Sequence, residues 1–81
     1  MEIKVLGPGC PKCRALYSAV VDTVKEMGLQ AEVLKVEDIK DILEAGVMLT
    51  PGLMVNGVLK ASGKVPSAAE IKRYIEEELK S

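Results

Sequence analysis

Hydrophobic positions in the first third of the chain change from the period of a strand to that of a helix. Residues 2 to 6 suit a short strand, and Gly7-Pro8-Gly9 ends it. A helix is predicted to begin at Pro11, which needs no N–H donor in the first turn, and to stop at Gly28. Its buried stripe has the spacing of an amphipathic helix and consists of Cys13, Leu16, Tyr17, Val20, Val24 and Met27.

The rest of the chain predicts a strand, a short helix, a hairpin and a last helix. Residues 31 to 36 suit the strand, and residues 38 to 45 suit the short helix. Asn56-Gly57 between two apolar runs is typical of a tight hairpin, because both residues tolerate a positive φ. Ser67 and Glu70 match a capping box that starts the C-terminal helix. The hairpin strands are residues 53 to 55 and 58 to 60, and the apolar residues assigned to the two helices are Ile39, Ile42, Leu43, Ile71, Tyr74, Ile75 and Leu79.

The predicted element order, β-α-β-α-β-β-α, indicates an α/β fold. Both helical crossovers predict parallel strands with right-handed connections, and the hairpin adds an antiparallel strand. We therefore expect a four-stranded mixed sheet between helices, formed by a single domain that spans residues 1 to 81. The paired cysteines then lie at the carboxyl end of the first strand, where α/β sheets usually carry their chemistry.

Composition excludes several classes of function. The hydrophobic fraction of 48% excludes a disordered chain, and a net charge of −1 gives no reason to expect nucleic acid or an anionic membrane as the partner. No apolar run is long enough for a membrane span, and the N-terminus lacks the regions of a signal peptide. Histidine is absent, so imidazole catalysis is excluded and the chemistry must depend on cysteine.

The two cysteines, Cys10 and Cys13, form a single C-x-x-C motif. A disulfide that closes so short a loop stabilises a fold little, which favours a redox function over a structural bridge. The same spacing also fits half of a tetrathiolate zinc site or a two-coordinate Cu(I) site. A soft-metal carrier is therefore an alternative interpretation. An intrachain zinc site lacks two of its four ligands, so zinc would require a symmetric dimer, whereas a two-coordinate Cu(I) site needs no additional ligand.

The position of the motif predicts different roles for the two thiols. Cys10 lies at a helix N-terminus, where backbone N–H groups and the helix dipole favour the thiolate. Cys13 lies one turn later and faces inward, so Cys10 is predicted to attack and Cys13 to resolve the mixed disulfide. Pro11 would stiffen the turn between them. The ammonium of Lys12 either favours the thiolate further or simply faces solvent.

From its first strand to its last helix the sequence resembles the thioredoxin superfamily. The resemblance rests on Cys10-Pro11-Lys12-Cys13 after a strand and on Thr50-Pro51-Gly52 before the hairpin. It is greatest to the small glutaredoxin-sized thioredoxins of archaea and bacteria, also called redox-active disulfide proteins, which lack the N-terminal strand and helix of ordinary thioredoxins. The missing strand implies that the second strand is a sheet edge, where Glu32 and Lys35 discourage further pairing.

The resemblance implies further site residues. Pro51 would follow a cis peptide bond and lie against the cysteine pair, and Thr50 would pair with an extended segment of the substrate. Without the resemblance, a trans Thr-Pro that begins a strand is favoured. Gly63 would correspond to the glycine that lets the loop after the fourth strand approach the active site, and its alternative is an ordinary turn glycine.

Three features depart from the thioredoxin pattern. Gly9 replaces the tryptophan that precedes the motif, and the acidic residues that bind glutathione in glutaredoxins are not evident around Lys64 to Ser67. Lys4 stands six residues before the first cysteine, where thioredoxins hold a buried aspartate. If Lys4 faces the active site, its amine could favour the thiolate or relay a proton, whereas the alternation along the strand could instead turn it toward solvent.

These observations predict a thiol–disulfide oxidoreductase that cycles between a dithiol and an intramolecular Cys10–Cys13 disulfide. The expected partners are proteins that contain disulfides and a thiol reductase or small thiol, and no cofactor is required. We expect a cytoplasmic monomer that binds neither nucleic acid nor membranes. The alternative is a thioredoxin-fold binding module or soft-metal carrier that uses the two thiols as ligands.

Overall fold

A computed structural model describes residues 1 to 80, and Ser81, the last residue of the predicted domain, lies outside the described residues. Within them, strands and helices follow one another in the predicted order. Their bounds lie within two residues of those predicted at every end compared. The elements are β1 (Glu2–Leu6), α1 (Pro11–Met27), β2 (Glu32–Val36), α2 (Ile39–Glu44), β3 (Gly52–Val55), β4 (Val58–Ser62) and α3 (Ala68–Leu79).

The strands form one mixed sheet in the order β2-β1-β3-β4. β1 and β2 are parallel, with Val5 beside Lys35, whereas β3 is antiparallel to both of its neighbours. β2 is therefore an edge strand, as predicted. Glu32 and Lys35 are exposed on it, and charged side chains at such positions oppose pairing with another chain.

The direction of β3 corrects one prediction. The crossover from β2 was expected to make β3 parallel to the first two strands, but β3 runs antiparallel to β1, with Leu6 opposite Gly52. α2 has six residues and is only about 9 Å long, whereas a five-residue strand spans about 16 Å. Because so short a helix does not return the chain to the far end of the sheet, β3 starts at the end where β1 and β2 finish.

Helices cover both faces of the sheet, as predicted. α1 and α3 pack on one face, and α2 covers part of the other, where Ile42 packs with Leu6 and Val47. The alternation along β1 divides its side chains between these two layers. The buried residues of the larger layer are Ile3, Val5, Leu16, Val20, Val24, Leu53, Val55, Ala61, Ile71, Tyr74 and Ile75.

The ends of the elements follow the local chemistry of the sequence. In the hairpin, Asn56 and Gly57 have φ values of 50° and 81°, the left-handed conformation that this turn requires. The capping box of α3 is complete: the Ser67 hydroxyl accepts the N–H of Glu70 at 3.2 Å, and the Glu70 carboxylate accepts the N–H of Ser67 at 3.1 Å.

Some apolar residues assigned to helix faces are exposed instead. In α2 only Ile42 is buried, whereas Ile39 and Leu43 are 58% and 59% exposed. The apolar cluster between α2 and the sheet is small, and neither Ile39 nor Leu43 belongs to it; its members are Leu6, Ile42 and Val47, with the partly buried Val36, Ala45 and Met54. Leu79, at the end of α3, is also exposed. None of the helices among residues 1 to 80 has both the length and the apolar character needed to cross a bilayer.

Candidate active site

The two cysteines lie where β1 ends and α1 begins. Cys10 is the N-cap residue of α1, and its Sγ accepts a hydrogen bond from the backbone N–H of Cys13 at 3.3 Å. Cys13 starts the buried stripe of the helix and is 5% exposed, whereas Cys10 is half-buried. Both are free thiols. The more accessible sulfur is therefore the one that receives the helix-end hydrogen bond.

The surroundings move the pKa values of the two thiols in opposite directions. Hydrogen bonds from Cys13, first from its side chain and then from its backbone N–H, lower the pKa of Cys10 below its ordinary value. Burial is the main cause that raises the pKa of Cys13, and its side-chain hydrogen bond to Cys10 raises it further. Cys10 is thus the thiol that ionises first, while Cys13 retains its proton.

Pro11 and Lys12 form the first turn of α1 between the cysteines. Pro11 occupies a first-turn position, where its missing N–H costs no helical hydrogen bond. The backbone of Lys12 contributes to the lowered pKa of Cys10, while its side chain is exposed. A contribution from the Lys12 ammonium stays a prediction.

Gly7 lies at the point where β1, α1 and the segment before β3 meet. A methyl group on Gly7 would overlap the Sγ of Cys13 and would lie 3.8 Å from the Cα of Pro51. Pro51 is buried, and the Thr50–Pro51 peptide bond is cis. Gly7 therefore allows the cysteine pair and Pro51 to pack closely, which a larger residue would prevent.

Gly63 holds the loop after β4 against the same segment. Its N–H donates a hydrogen bond of 2.9 Å to the carbonyl of Pro51, and its φ is 80°. A methyl group on Gly63 would come within 3.0 Å of the Cβ of Leu49. Gly63 thus contacts the residues on both sides of Thr50, which is itself exposed.

Lys4 lies on the sheet face covered by α2 and is not directed toward the cysteines. It borders a groove with Leu6 and Met54, and its Nζ is 3.5 Å from the carboxylate of Glu2. Its neighbour Val5 is the strand residue that lines the cavity beside Cys13. The orientation that the Lys4 hypothesis required is therefore not present, because alternation along β1 turns the side chain away.

A cavity of about 120 Å³ opens beside Cys13 between α1 and the end of β2. On one wall the ammonium of Lys35 lies 4.5 Å from the centre of the Tyr17 ring. Near the mouth, Glu37 approaches so closely that a methyl group on Gly9 would lie 3.1 Å from its Oε2. The lining residues are Val5, Gly7, Gly9, Cys13, Arg14, Tyr17, Lys35 and Glu37.

Sequence reasoning missed Gly7 and Glu37 as site residues. Gly7 was interpreted only as part of the segment that ends a strand, and Glu37 was not singled out. One signal was available for Glu37: it directly follows β2, and the carboxyl ends of parallel strands meet at one edge of a sheet. Gly7 gives no such signal, because its role depends on the position of the Cys13 sulfur.

The fold and its paired thiols define the class of thioredoxin-like thiol–disulfide oxidoreductases. The family model described as thioredoxin domain matches residues 1–76. Two proteins named Thioredoxin are similar over nearly the full chain. The one from Methanocaldococcus jannaschii is 46% identical over 79 residues, which cover 98% of this chain and 86% of that protein. The one from Methanothermobacter thermautotrophicus is 43% identical over 75 residues, which cover 93% of this chain and 97% of that protein.

The chain therefore belongs to the thioredoxin family, as its resemblance predicted. A more distant relative, named Probable Thioredoxin, also from Methanothermobacter thermautotrophicus, is 32% identical over 75 residues, which cover 89% of this chain and 87% of that protein. The β-α-β-α-β-β-α domain is a minimal form of the thioredoxin fold.

Proposed function

We propose that the protein transfers electrons to protein disulfides by cycling Cys10 and Cys13 between a dithiol and an intramolecular disulfide. The observation that supports this most is the unequal environment of the two thiols. Cys10 is half-buried and has a lowered pKa, whereas Cys13 is buried and has a raised pKa. An accessible thiolate followed by a protected thiol is the arrangement that exchange through a mixed disulfide needs.

The proposed cycle has two exchange steps. The Cys10 thiolate attacks one sulfur of the partner disulfide, which forms a mixed disulfide and releases the first partner thiolate. Cys13 then loses its proton and attacks the Sγ of Cys10, which forms the internal disulfide and releases the second partner thiolate. Two electrons pass from the cysteine pair to the partner. A thiol reductase or a small thiol returns them by the reverse exchange, so the cycle needs no cofactor.

The segment before β3 is the proposed docking site for the partner. Thr50 is exposed and precedes the first paired residue of β3, so an extended segment of the partner can align with its backbone groups. The two residues before it, Met48 and Leu49, are adjacent and 83% and 66% exposed, so they present apolar side chains beside Thr50. They would bury apolar area only when a partner is bound.

The remaining parts of the proposal concern the setting. We propose a monomer that acts in the cytoplasm, where thiols are kept reduced, with neither nucleic acid nor a membrane as partner. Within residues 1 to 80, no group of three or more His, Cys, Asp or Glu side chains is placed to hold a metal ion. The alternative function, a soft-metal carrier, would thus depend on the two thiols alone.

Reduction of insulin disulfides by dithiothreitol tests the proposed function. The wild-type protein should accelerate the reaction catalytically, and Cys10→Ser should abolish the acceleration because it removes the attacking sulfur. Cys13→Ser should instead accumulate a mixed disulfide between Cys10 and the substrate, detectable by mass spectrometry. Ser18→Ala, at an exposed position of α1, is a control that should behave as wild type.

Three results would contradict the proposed function. The first is a wild-type protein that fails to accelerate insulin reduction. The second is a reduced protein that retains Cu(I) or Zn²⁺ in stoichiometric amount through desalting and shows no turnover, which would favour the carrier. A cysteine pair that forms its internal disulfide but never exchanges with a foreign one would also argue against the cycle.

A further inference from the structure

The cavity beside Cys13 contains charged groups from two directions. α1 contributes Arg14 and Tyr17, whereas β2 and the residue that follows it contribute Lys35 and Glu37. β1 contributes no titratable side chain to the lining. Within residues 1 to 80, these four residues are the titratable and charged groups that line the cavity with Cys13, and Cys10 neighbours Cys13 at the start of α1.

Among these groups, Glu37 is the one suited to accept a proton. Arginine and lysine are protonated at neutral pH, and the Lys35 ammonium is already placed over the Tyr17 ring. Glu37 forms none of the ion pairs found among residues 1 to 80. Its Oε2 lies 3.1 Å from the position that a methyl group on Gly9, the residue immediately before Cys10, would occupy.

We propose that Glu37 accepts the proton of Cys13 when Cys13 resolves the mixed disulfide, an inference that rests on the proposed function. The S–H bond of Cys13 breaks, its sulfur forms the bond to the Sγ of Cys10, and the partner leaves as a thiolate. The proton passes to the Glu37 carboxylate and from there to solvent. No electrons beyond the two of the disulfide exchange are involved.

The path from Cys13 to Glu37 runs through the cavity. The cavity, about 120 Å³ in volume and lined in part by charged side chains, has room for several water molecules, and water can carry a proton between the thiol and the carboxylate. The buried position of Cys13 makes such a path necessary, because its raised pKa leaves little thiolate at neutral pH.

Loss of Glu37 has opposite effects on the resolving step if its carboxylate acts only through its charge and if it accepts the proton. A nearby negative charge disfavours a thiolate, so removing it would make Cys13 ionise more readily and resolve faster. If the carboxylate is instead the proton acceptor, its removal slows attack by Cys13, because the proton then leaves the thiol more slowly. The sign of the change therefore separates the two roles of the carboxylate.

Stopped-flow reaction with dithiobis-nitrobenzoate, a symmetrical aromatic disulfide with a coloured leaving thiolate, resolves the two steps. Attack by Cys10 releases the first coloured thiolate at a rate that depends on reagent concentration. Attack by Cys13 releases the second coloured thiolate at a rate that does not depend on reagent concentration. We expect Glu37→Gln to slow the second phase by about tenfold near neutral pH. This factor is smaller than the effect usually found for general bases, because the carboxylate is exposed and water can partly replace it.

The controls test charge and geometry separately. Glu32→Gln removes the same charge from an exposed position of β2 and should leave both phases unchanged. Glu37→Asp keeps the carboxylate and should retain part of the wild-type rate. In Glu37→Gln, the second phase should approach the wild-type rate at alkaline pH, where hydroxide removes the proton directly.

The outcomes distinguish this inference from the proposed function. If the wild-type protein shows both phases and the second phase of Glu37→Gln is unchanged or faster, Glu37 is not the acceptor, although the disulfide cycle stands. If the wild-type protein shows no second phase, the proposed cycle itself fails. A slowed second phase with an unchanged first phase supports both.

Discussion

At the scale of single residues, one hydrogen-bonded pair gives two identical side chains different chemistry. The Cys13 side chain donates toward the Cys10 sulfur, which favours the thiolate of Cys10. The same bond holds the proton on Cys13, and burial acts in the same direction. The division of roles between attacking and resolving thiol therefore follows from exposure and position on the helix.

The pKa of Cys10 should rise when Cys13 stops donating. Cys13→Ala removes the largest cause of the lowered pKa, so the midpoint of Cys10 ionisation is expected to move up toward the ordinary value for cysteine. The measurement is the pH dependence of alkylation by iodoacetamide. Cys13→Ser, which keeps a hydroxyl donor, should show a smaller rise. An unchanged midpoint in Cys13→Ala would show that the helix end alone sets the pKa.

Residues whose role depends on local sequence were predictable, and those whose role depends on distant packing were not. Cys10, Cys13 and Pro11 were assigned to the start of a helix from the C-x-x-C motif and the proline, and the structure places them there. Counting back along the strand selected Lys4, but counting does not determine which sheet face a side chain occupies. Glu37 lines the cavity beside Cys13 because β1 and β2 pair in parallel, with Leu6 beside Val36.

At the scale of elements, α3 shows how a few polar atoms fix the start of a helix. Ser67→Ala removes the hydroxyl that accepts the N–H of Glu70, and we expect the free energy of unfolding to fall by about 1 kcal/mol. Urea denaturation monitored by circular dichroism measures the change. Ser18→Ala, within α1 and exposed, should change stability little or increase it slightly.

A loss as small for Ser67→Ala as for Ser18→Ala would show that the hydroxyl of Ser67 does not stabilise α3. Insulin reduction by Ser67→Ala should equal that of wild type at temperatures where both are folded. The reason is that the capping bonds join Ser67 to Glu70, and neither residue lines the cavity beside Cys13.

The order of elements was predictable from hydrophobic period and caps, but the direction of β3 was not. A short helix between two strands is compatible with either direction, since local periodicity contains no information about where the next strand begins. The length of α2 determines the direction of β3, because a helix of six residues does not span the sheet. The exposed Ile39 and Leu43 have the same origin, since α2 covers only part of its sheet face.

At the scale of the whole molecule, the site forms where three segments distant in sequence converge. The end of β1, the start of α1 and the segment before β3 meet around Gly7, whose N–H also donates to the carbonyl of Val36 at 2.9 Å. Gly7 does not have a positive φ, so its backbone conformation is open to other residues. What requires glycine here is the space occupied by the Cys13 sulfur.

Gly7→Ala should therefore destabilise the reduced protein through packing alone. Overpacking of a core typically costs about 1 to 3 kcal/mol, and we expect a loss in this range from urea denaturation under reducing conditions. The matched comparison is the same substitution in a Cys13→Ala background, where the colliding sulfur is absent. There the loss should be smaller by at least about 1 kcal/mol, because the two side chains no longer compete for one volume.

Equal losses of stability in the two backgrounds would mean that the alanine methyl group collides with an atom other than the sulfur. After the sulfur, the nearest neighbours of that methyl group are the Cβ of Cys13 and the Cα of Pro51. The Cβ of Cys13, which alanine retains and which would lie 3.2 Å from the new methyl group, would then be the contact that limits the space, since 3.8 Å to the Cα of Pro51 is an ordinary van der Waals distance. The difference between the two losses of stability thus measures how closely the sulfur of the resolving thiol packs against Gly7 at the end of β1.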